Sequence, residues 1–142
     1  MSHVIEHVYD PRRTLSEISR ILRVGGTLVV TTPNAGGAGH RHFGHHWVHL
    51  DPPRHLRLFN GANLCALVES VGFHATKIRS SLRITPLTFV SSRSIRSTGR
   101  AYELRWPTLL AELYGRLGSA AQLFIRAWYP LAADELLLEA HK

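Results

Sequence analysis

The sequence predicts an α/β fold on a parallel sheet, and three stretches carry that prediction. Arg20 to Asn34, RILRVGGTLVVTTPN, hands an amphipathic helix to a short β-branched strand through a glycine pair. Asn60 to Ser80 repeats the arrangement, with a helix ended by Gly72 and a strand over 73–80. DELLLEAH, residues 134–141, supplies a final strand. Units of this kind build sheets whose sites lie at the carboxyl ends of the strands. The loop leaving Thr31 and Thr32 is therefore the first place to look for chemistry.

The first helix opens at Asp10-Pro11, where the aspartate can accept free amide protons and the proline loses nothing by lacking its own. Leu15, Ile18, Ile21 and Leu22 recur at three- and four-residue spacing and predict one buried stripe. Arg20 and Arg23 suit the last turn, and Gly25 is expected to form the left-handed cap. Thr27 to Thr32 is apolar in consecutive residues, as expected of a strand covered on both faces. From Pro33 to Phe59 no helical or strand period is visible, yet six of the ten histidines lie there with Trp47 and Asp51-Pro52-Pro53. A loop of that length is more often functional than accidental.

Asn60 caps the second helix, whose stripe is Leu64, Leu67, Val68 and Val71. Arg83 to Pro107 reads as loop with one short helix. Leu110, Leu113, Tyr114, Leu117, Ala121, Phe124 and Trp128 then predict a helix to about Tyr129, either long or broken at Gly115 and Gly118.

At 142 residues with 44% apolar content the chain suits one domain with a real core. A lone cysteine, Cys65, excludes a disulfide framework, fits a reducing compartment and reads as a packing residue. The net charge of +7, nearly all from arginine, points either to a polyanionic partner or to an acidic portion of the domain lying elsewhere. MSHVIEHVYD has neither a basic start nor an apolar run, which argues against a signal peptide. Residues 108–131 come nearest to a membrane span but carry Glu112, Arg116 and Arg126. A soluble, cytoplasmic protein is expected, with peripheral membrane contact left open.

Four stretches in order now resemble a known family: SHVIEHVYDP at 2–11, RVGGTLVVTTPN at 23–34, FGHHWVHLDPPRHLRLFN at 43–60 and LVESVGF at 67–73. The chain resembles the carboxyl-terminal half of a class I S-adenosylmethionine-dependent methyltransferase, in the subgroup acting on small molecules, sugars and quinone-like phenols. The likeness covers roughly the first 80 residues, and the last strand resembles the antiparallel strand that completes the fold. It implies a partial Rossmann-like sheet in which 27–32 is strand five, 73–80 strand six and 135–141 strand seven, ordered 5-7-6. Met1-Ser2-His3 then falls at the end of strand four. Strands one to four, with the G-x-G-x-G loop and the acid that grips the cofactor ribose, are expected to lie outside this chain. The chain would thus be a fragment, or one begun at an internal methionine, and inactive alone. Within the single incomplete domain, 1–142, the resemblance marks 34–59 as the substrate-side loop and 83–130 as a variable helical insertion.

By position in that family, Ser2, His3, Val4 and Glu6 face S-adenosylmethionine, while His7 and His55 are the bases available to an acceptor hydroxyl. Methyl transfer needs chiefly alignment, plus at times such a base. The plainer account of Glu6-His7 is that it only hydrogen-bonds the start of the helix. Asn34, Trp47, Asp51 and Arg54 are expected to contact the acceptor, Trp47 by stacking and Arg54 by pairing with an anionic group. Equally, Trp47 and Pro53 could merely close the loop over the core.

No metal site is assigned. Relatives that bind magnesium place a carboxylate where His3 stands, and magnesium prefers oxygen. His3-x-x-Glu6-His7 also matches an inverted zinc-protease motif, but lacks a third ligand on a downstream helix. His40, His42, His45, His46 and His49 have no regular ligand spacing and read as an adaptable loop. Arginines 79, 83, 93, 96, 100 and 105 have few aromatics among them, so nucleic acid is not favoured over a solvated face or an acidic small partner. The expected activity is methyl transfer to a small acceptor at oxygen. A non-catalytic module keeping half the fold is the alternative, and the open edge of strand 27–32 then predicts an edge-strand dimer.

Overall fold

The computed structural model describes residues 1–101 and 108–142. Helix α1 spans Pro11–Ile21, strand β1 Thr27–Pro33, helix α2 Ala38–Phe43, helix α3 Gly61–Glu69 and strand β2 His74–Ser81. Helices α4, Thr85–Thr98, and α5, Thr108–Arg126, precede strand β3, Glu135–His141. The sheet order is β1-β3-β2, with β3 antiparallel to both neighbours. That is the 5-7-6 order implied by the family resemblance. Met1 to His3 run parallel beside β1, with the His3 amide on the Thr31 carbonyl at 2.9 Å and the Thr31 amide on the Met1 carbonyl at 3.0 Å.

One face of the sheet holds the core. Leu15 of α1 and Leu64 and Val68 of α3 meet Leu28, Val30, Leu136, Leu138 and Ala140, with Ile5, Phe59 and Phe73 at the margins. Asp10 caps α1 through the Arg13 amide at 2.9 Å. Asn60 and Asn63 cap α3 reciprocally, each accepting the other's backbone amide. Cys65 is free and packs half-buried against the same core.

Several expectations are corrected. Ile21 is 64% exposed, because only Leu15, Ile18 and Leu22 share the inward side of α1. Gly25 adopts φ 77°, but it turns the chain into β1 and donates to the Lys142 carbonyl rather than capping α1, which already ends at Ile21. Strand β1 is not covered on both faces throughout: Thr27 and Val29 are exposed, since α1 and α3 lie on one side. Within 34–59, α2 and two short 3-10 turns stand where no period was visible.

The stretch from Arg83, expected as loop with one short helix, instead carries the 14-residue helix α4. Its buried positions, Thr85, Thr88, Ser91, Ser92 and Ser94, keep roughly helical spacing, but with hydroxyls in place of carbon. Apolar periodicity could not reveal it. Residues 102–107, including Arg105, lie outside the described residues. Helix α5 is unbroken at its glycines. A side chain at Gly115 would meet the Pro86 backbone, and one at Gly118 would sit 2.5 Å from the Phe89 ring, so both glycines let α5 approach α4 closely. Among the described residues no helix is long and apolar enough to cross a membrane.

Candidate functional site at the carboxyl end of the sheet

The site begins with the turn that leaves Met1–His3. The Glu6 carbonyl accepts the amides of Leu56 at 2.8 Å and Arg57 at 3.2 Å, which pins the far end of the long loop beside residues 5–7. His7 and His55 are thereby brought together, their rings 4.7 Å apart and steeply inclined. The His7 Nδ1–H donates to the Arg54 carbonyl at 2.9 Å, and the His55 Nδ1–H donates to the His49 carbonyl at 2.6 Å. A carbonyl can only accept, so the proton of each neutral ring sits on Nδ1 and Nε2 keeps its lone pair.

These histidines line a cavity of about 540 Å³ with His45, Trp47, His49, Asp51, Arg54 and the end of α4. Trp47 is buried, flanked by His40 at 4.7 Å and His49 at 5.2 Å, and its indole N–H has no partner among the described residues. It contributes wall rather than an open stacking face. Asp51, at φ 37°, turns the loop, accepts the amides of Arg54 and His55 on its carbonyl, and pairs its carboxylate with the exposed Arg54 guanidinium. Arg54 therefore reaches the cavity with its charge already matched.

His49, within the histidine cluster of residues 40–49, is also a cavity residue. The Thr88 hydroxyl gives its proton to the Ile84 carbonyl at 2.9 Å, so it accepts from His49 Nε2–H at 2.8 Å. Burial, followed by the nearby His55 and His3, pushes the His49 pKa down to about 4. A neutral imidazole is fixed there. Only α4 could have signalled this role, and α4 has no apolar period.

Beside the cavity lies a compact charge network. His3, at φ 50°, places Nδ1 3.3 Å from Glu6 and Nε2 2.9 Å from Glu135, while Arg83 donates to both oxygens of Glu135. The two carboxylates are buried, with side chains 2% exposed. Contact with Glu6, opposed by burial and reinforced by Glu135, raises the His3 pKa. Burial alone would lift both carboxylates, but His3, a backbone amide and Thr32 hold Glu6 low, and Arg83, His3 and Ser81 hold Glu135 low. Glu6 Oε2 accepts from Thr32 at 3.1 Å, while the buried Oε1 faces His3 Nδ1 at 3.3 Å.

The remaining expected residues are placed as follows. Ser2 joins its hydroxyl to that of Thr31 at 2.8 Å, and Val4 is 41% exposed. Asn34 is corrected from acceptor contact to structural tie: it is buried, donates to the carbonyls of Leu131 and Ala133, and accepts from the Gly36 amide. Its amide is fully spent in joining the exit of β1 to the approach of β3. His7, Trp47, Asp51, Arg54 and His55 converge on one cavity, whereas Ser2, His3 and Glu6 stand next to it, tied to protein partners.

A Rossmann-like sheet with a polar, histidine-lined cavity at its carboxyl end defines the class. Residues 1–78 match the methyltransferase-domain family model, and the chain belongs to that family. It is 35% identical over 77 residues to a probable S-adenosylmethionine-dependent methyltransferase of Mycolicibacterium smegmatis, an alignment covering 49% of this chain and 25% of that protein. Among solved structures, a SAM-dependent methyltransferase of Thermotoga maritima superposes with a TM-score of 0.59 at 18% identity, over 100% of this chain and 54% of that one. Phosphoethanolamine N-methyltransferase 2 of Haemonchus contortus, bound to S-adenosylmethionine, gives 0.53 at 16% identity, over 99% and 32%. The (4+2)-cyclase SpnF gives 0.53 at 23%, over 99% and 48%. These structures establish the fold, not the reaction. The chain spans about half or less of the length of these relatives.

Proposed function

We propose that this chain is the acceptor-side portion of an S-adenosylmethionine-dependent methyltransferase, and that its cavity takes a small hydroxylated molecule methylated at oxygen. The observation that carries the reading is the facing pair His7 and His55, each with Nδ1–H held by a backbone carbonyl and Nε2 free at the cavity. Either Nε2 can accept the acceptor's hydroxyl proton, leaving the oxygen with the electron pair that attacks carbon. Trp47 and neutral His49 shape the pocket, and the matched Asp51–Arg54 pair gives it a polar rim.

The bound cofactor would supply the electrophilic methyl group. Ser2, His3 and Glu6 are occupied by Thr31, Glu135 and Thr32, so the residues described here do not fit a complete grip on the cofactor. In this reading that grip comes from polypeptide beyond these residues.

Histidine-ring NMR of the 142-residue chain tests the acceptor claim. Catechol, a simple phenol and a monosaccharide are titrated in turn, and saturable shifts at His7 and His55 are expected from at least one. Silence of both rings toward every hydroxylated probe would overturn it. In calorimetry with S-adenosylhomocysteine, no micromolar binding by this chain is expected; such binding would place the cofactor grip within these residues.

A further inference from the structure

Helix α5 is turned the opposite way to α1 and α3. A helix ordinarily buries its apolar stripe. The buried residues of α5 are instead Gly115, Gly118 and Gln122, packed toward α4, while Leu109, Leu110, Leu113, Leu117, Leu123 and Phe124 face outward at 51–76% exposure. Trp128, just past the helix, is 76% exposed as well. Leu110, Leu113, Leu117, Ala120 and Phe124 are separated by alternating steps of three and four residues, the spacing of a seam between two helices. With about 150–250 Å² for each aromatic side chain and somewhat less for each leucine, the exposed fractions amount to on the order of 800 Å². The largest apolar patch on a monomer is about 300–600 Å², whereas each half of a standard protein interface is about 800 Å².

Charge selects the occupant. The fully exposed ionic residues of α5 are Glu112 and Arg116, which pair with each other at 3.8 Å, so this face is neutral on a chain of net charge +7. An anionic lipid surface or a nucleic acid would call for unpaired cations here. A second neutral apolar face does not. The outer edge of β1, the other place where a second copy could add, already holds Met1 to His3 through the Thr31 amide and carbonyl. We propose that two copies of this chain associate through the outward face of α5, with the two helices antiparallel. That direction sets Trp128 of one copy over Leu110 of the other, and Leu117 over Ala121, a larger residue against a smaller one at each point. A parallel pair would oppose Trp128 to Trp128 and Ala121 to Ala121, with crowding at one end and a void in the middle.

Sedimentation equilibrium of the 142-residue chain tests the pairing and is expected to show a dimer that dissociates on dilution. Leu117→Glu should raise the dissociation constant about 30-fold or more and leave the far-ultraviolet circular dichroism unchanged, because that side chain is exposed in the single copy. Val24→Glu, the same kind of change at an exposed position before β1, should alter it less than about threefold. Should Leu117→Glu fail to fold, Leu117→Ala takes its place, with an expected weakening of about tenfold. A wild type still monomeric at about 100 µM, far above a micromolar dissociation constant, overturns the proposal. So does equal weakening by both variants, or a monomer that floats with phosphatidylglycerol vesicles, which would give this face to a membrane. The direction is read by mixing Leu110→Cys and Trp128→Cys copies on a Cys65→Ser background. A disulfide between positions 110 and 128 is expected, and products linked only between like positions refute the antiparallel arrangement.

Discussion

The two ends of this molecule bury different chemistry. Beneath the sheet, α1 and α3 enclose carbon: Leu15, Leu28, Val30, Leu64, Val68, Leu136 and Leu138 are all 4% exposed or less. Above its carboxyl end, α4 and α5 enclose oxygen and nitrogen: Thr85, Thr88, Ser91, Ser92, Ser94, Gln122 and Asp134 are equally buried. Thr85 donates to Gln122 at 3.0 Å, Gln122 donates to Asp134 at 2.7 Å, and the Gly39 amide completes the carboxylate at 3.1 Å. The apolar end is held by non-directional burial, and the polar end by partners that must each be in place. One end is built to persist, while the other is built to hold groups in fixed directions.

Substitutions should separate the two. Leu138→Ala, in the middle of the central strand, should cost about 3 kcal/mol by urea unfolding, because the cavity it leaves is walled by sheet and helices. A loss below about 1 kcal/mol would mean that the apolar end does not anchor the fold. Gly118→Ala should cost about 1–3 kcal/mol, since its new methyl must push the Phe89 ring aside. Its mark should fall on the polar end: faster hydrogen exchange across α4, with the sheet unchanged.

Asp134 sharpens the contrast through pH. Burial, against the help of Gln122, Thr85 and the Gly39 amide, raises its pKa from 3.8 to about 6. The folded state thus holds the proton more tightly, and the stability this contributes is full below about pH 4 and lost as pH rises through 6. Relative to Asp134→Asn, the wild type should lose on the order of 1–2 kcal/mol between pH 4 and 7 and nothing further above, as measured by urea midpoints. A flat difference would show that the carboxylate is solvated. Smallest is Asn60→Ala, which removes the α3 cap and should cost about 1 kcal/mol at the apolar end without disturbing the cavity.

How much was legible in the sequence follows the same division. Leu64, Val68, Leu136 and Leu138 declare their faces by period, so the elements that carry them could be read in advance, while the 5-7-6 order followed from the family resemblance. Helix α4 could not, because its inward hydroxyls look like the residues of a loop. Asn34 is a sharper case: a residue at the exit of β1 looked poised for a ligand, yet its partners, Leu131 and Ala133, lie nearly a hundred positions away. His7 and His55 were identifiable one at a time. Their convergence depends on backbone bonds from Leu56 and Arg57 to Glu6, and no side-chain pattern encodes such bonds.

The sheet order carries a consequence for synthesis. Among the described strands, β1 and β2 do not pair with each other; each pairs with β3, the last of the three to be made, and β1 carries only Met1 to His3 on its other edge. Until residues 135–141 have left the ribosome, the two earlier strands present unpaired edges to whatever surrounds them, with α4 and α5 standing between β2 and the strand still to come. A nascent chain halted before residue 135 would have no three-stranded sheet, however completely its helices had formed. The closing of the sheet is therefore a single late event, and the period before it is when this chain is most open to chaperones and to aggregation.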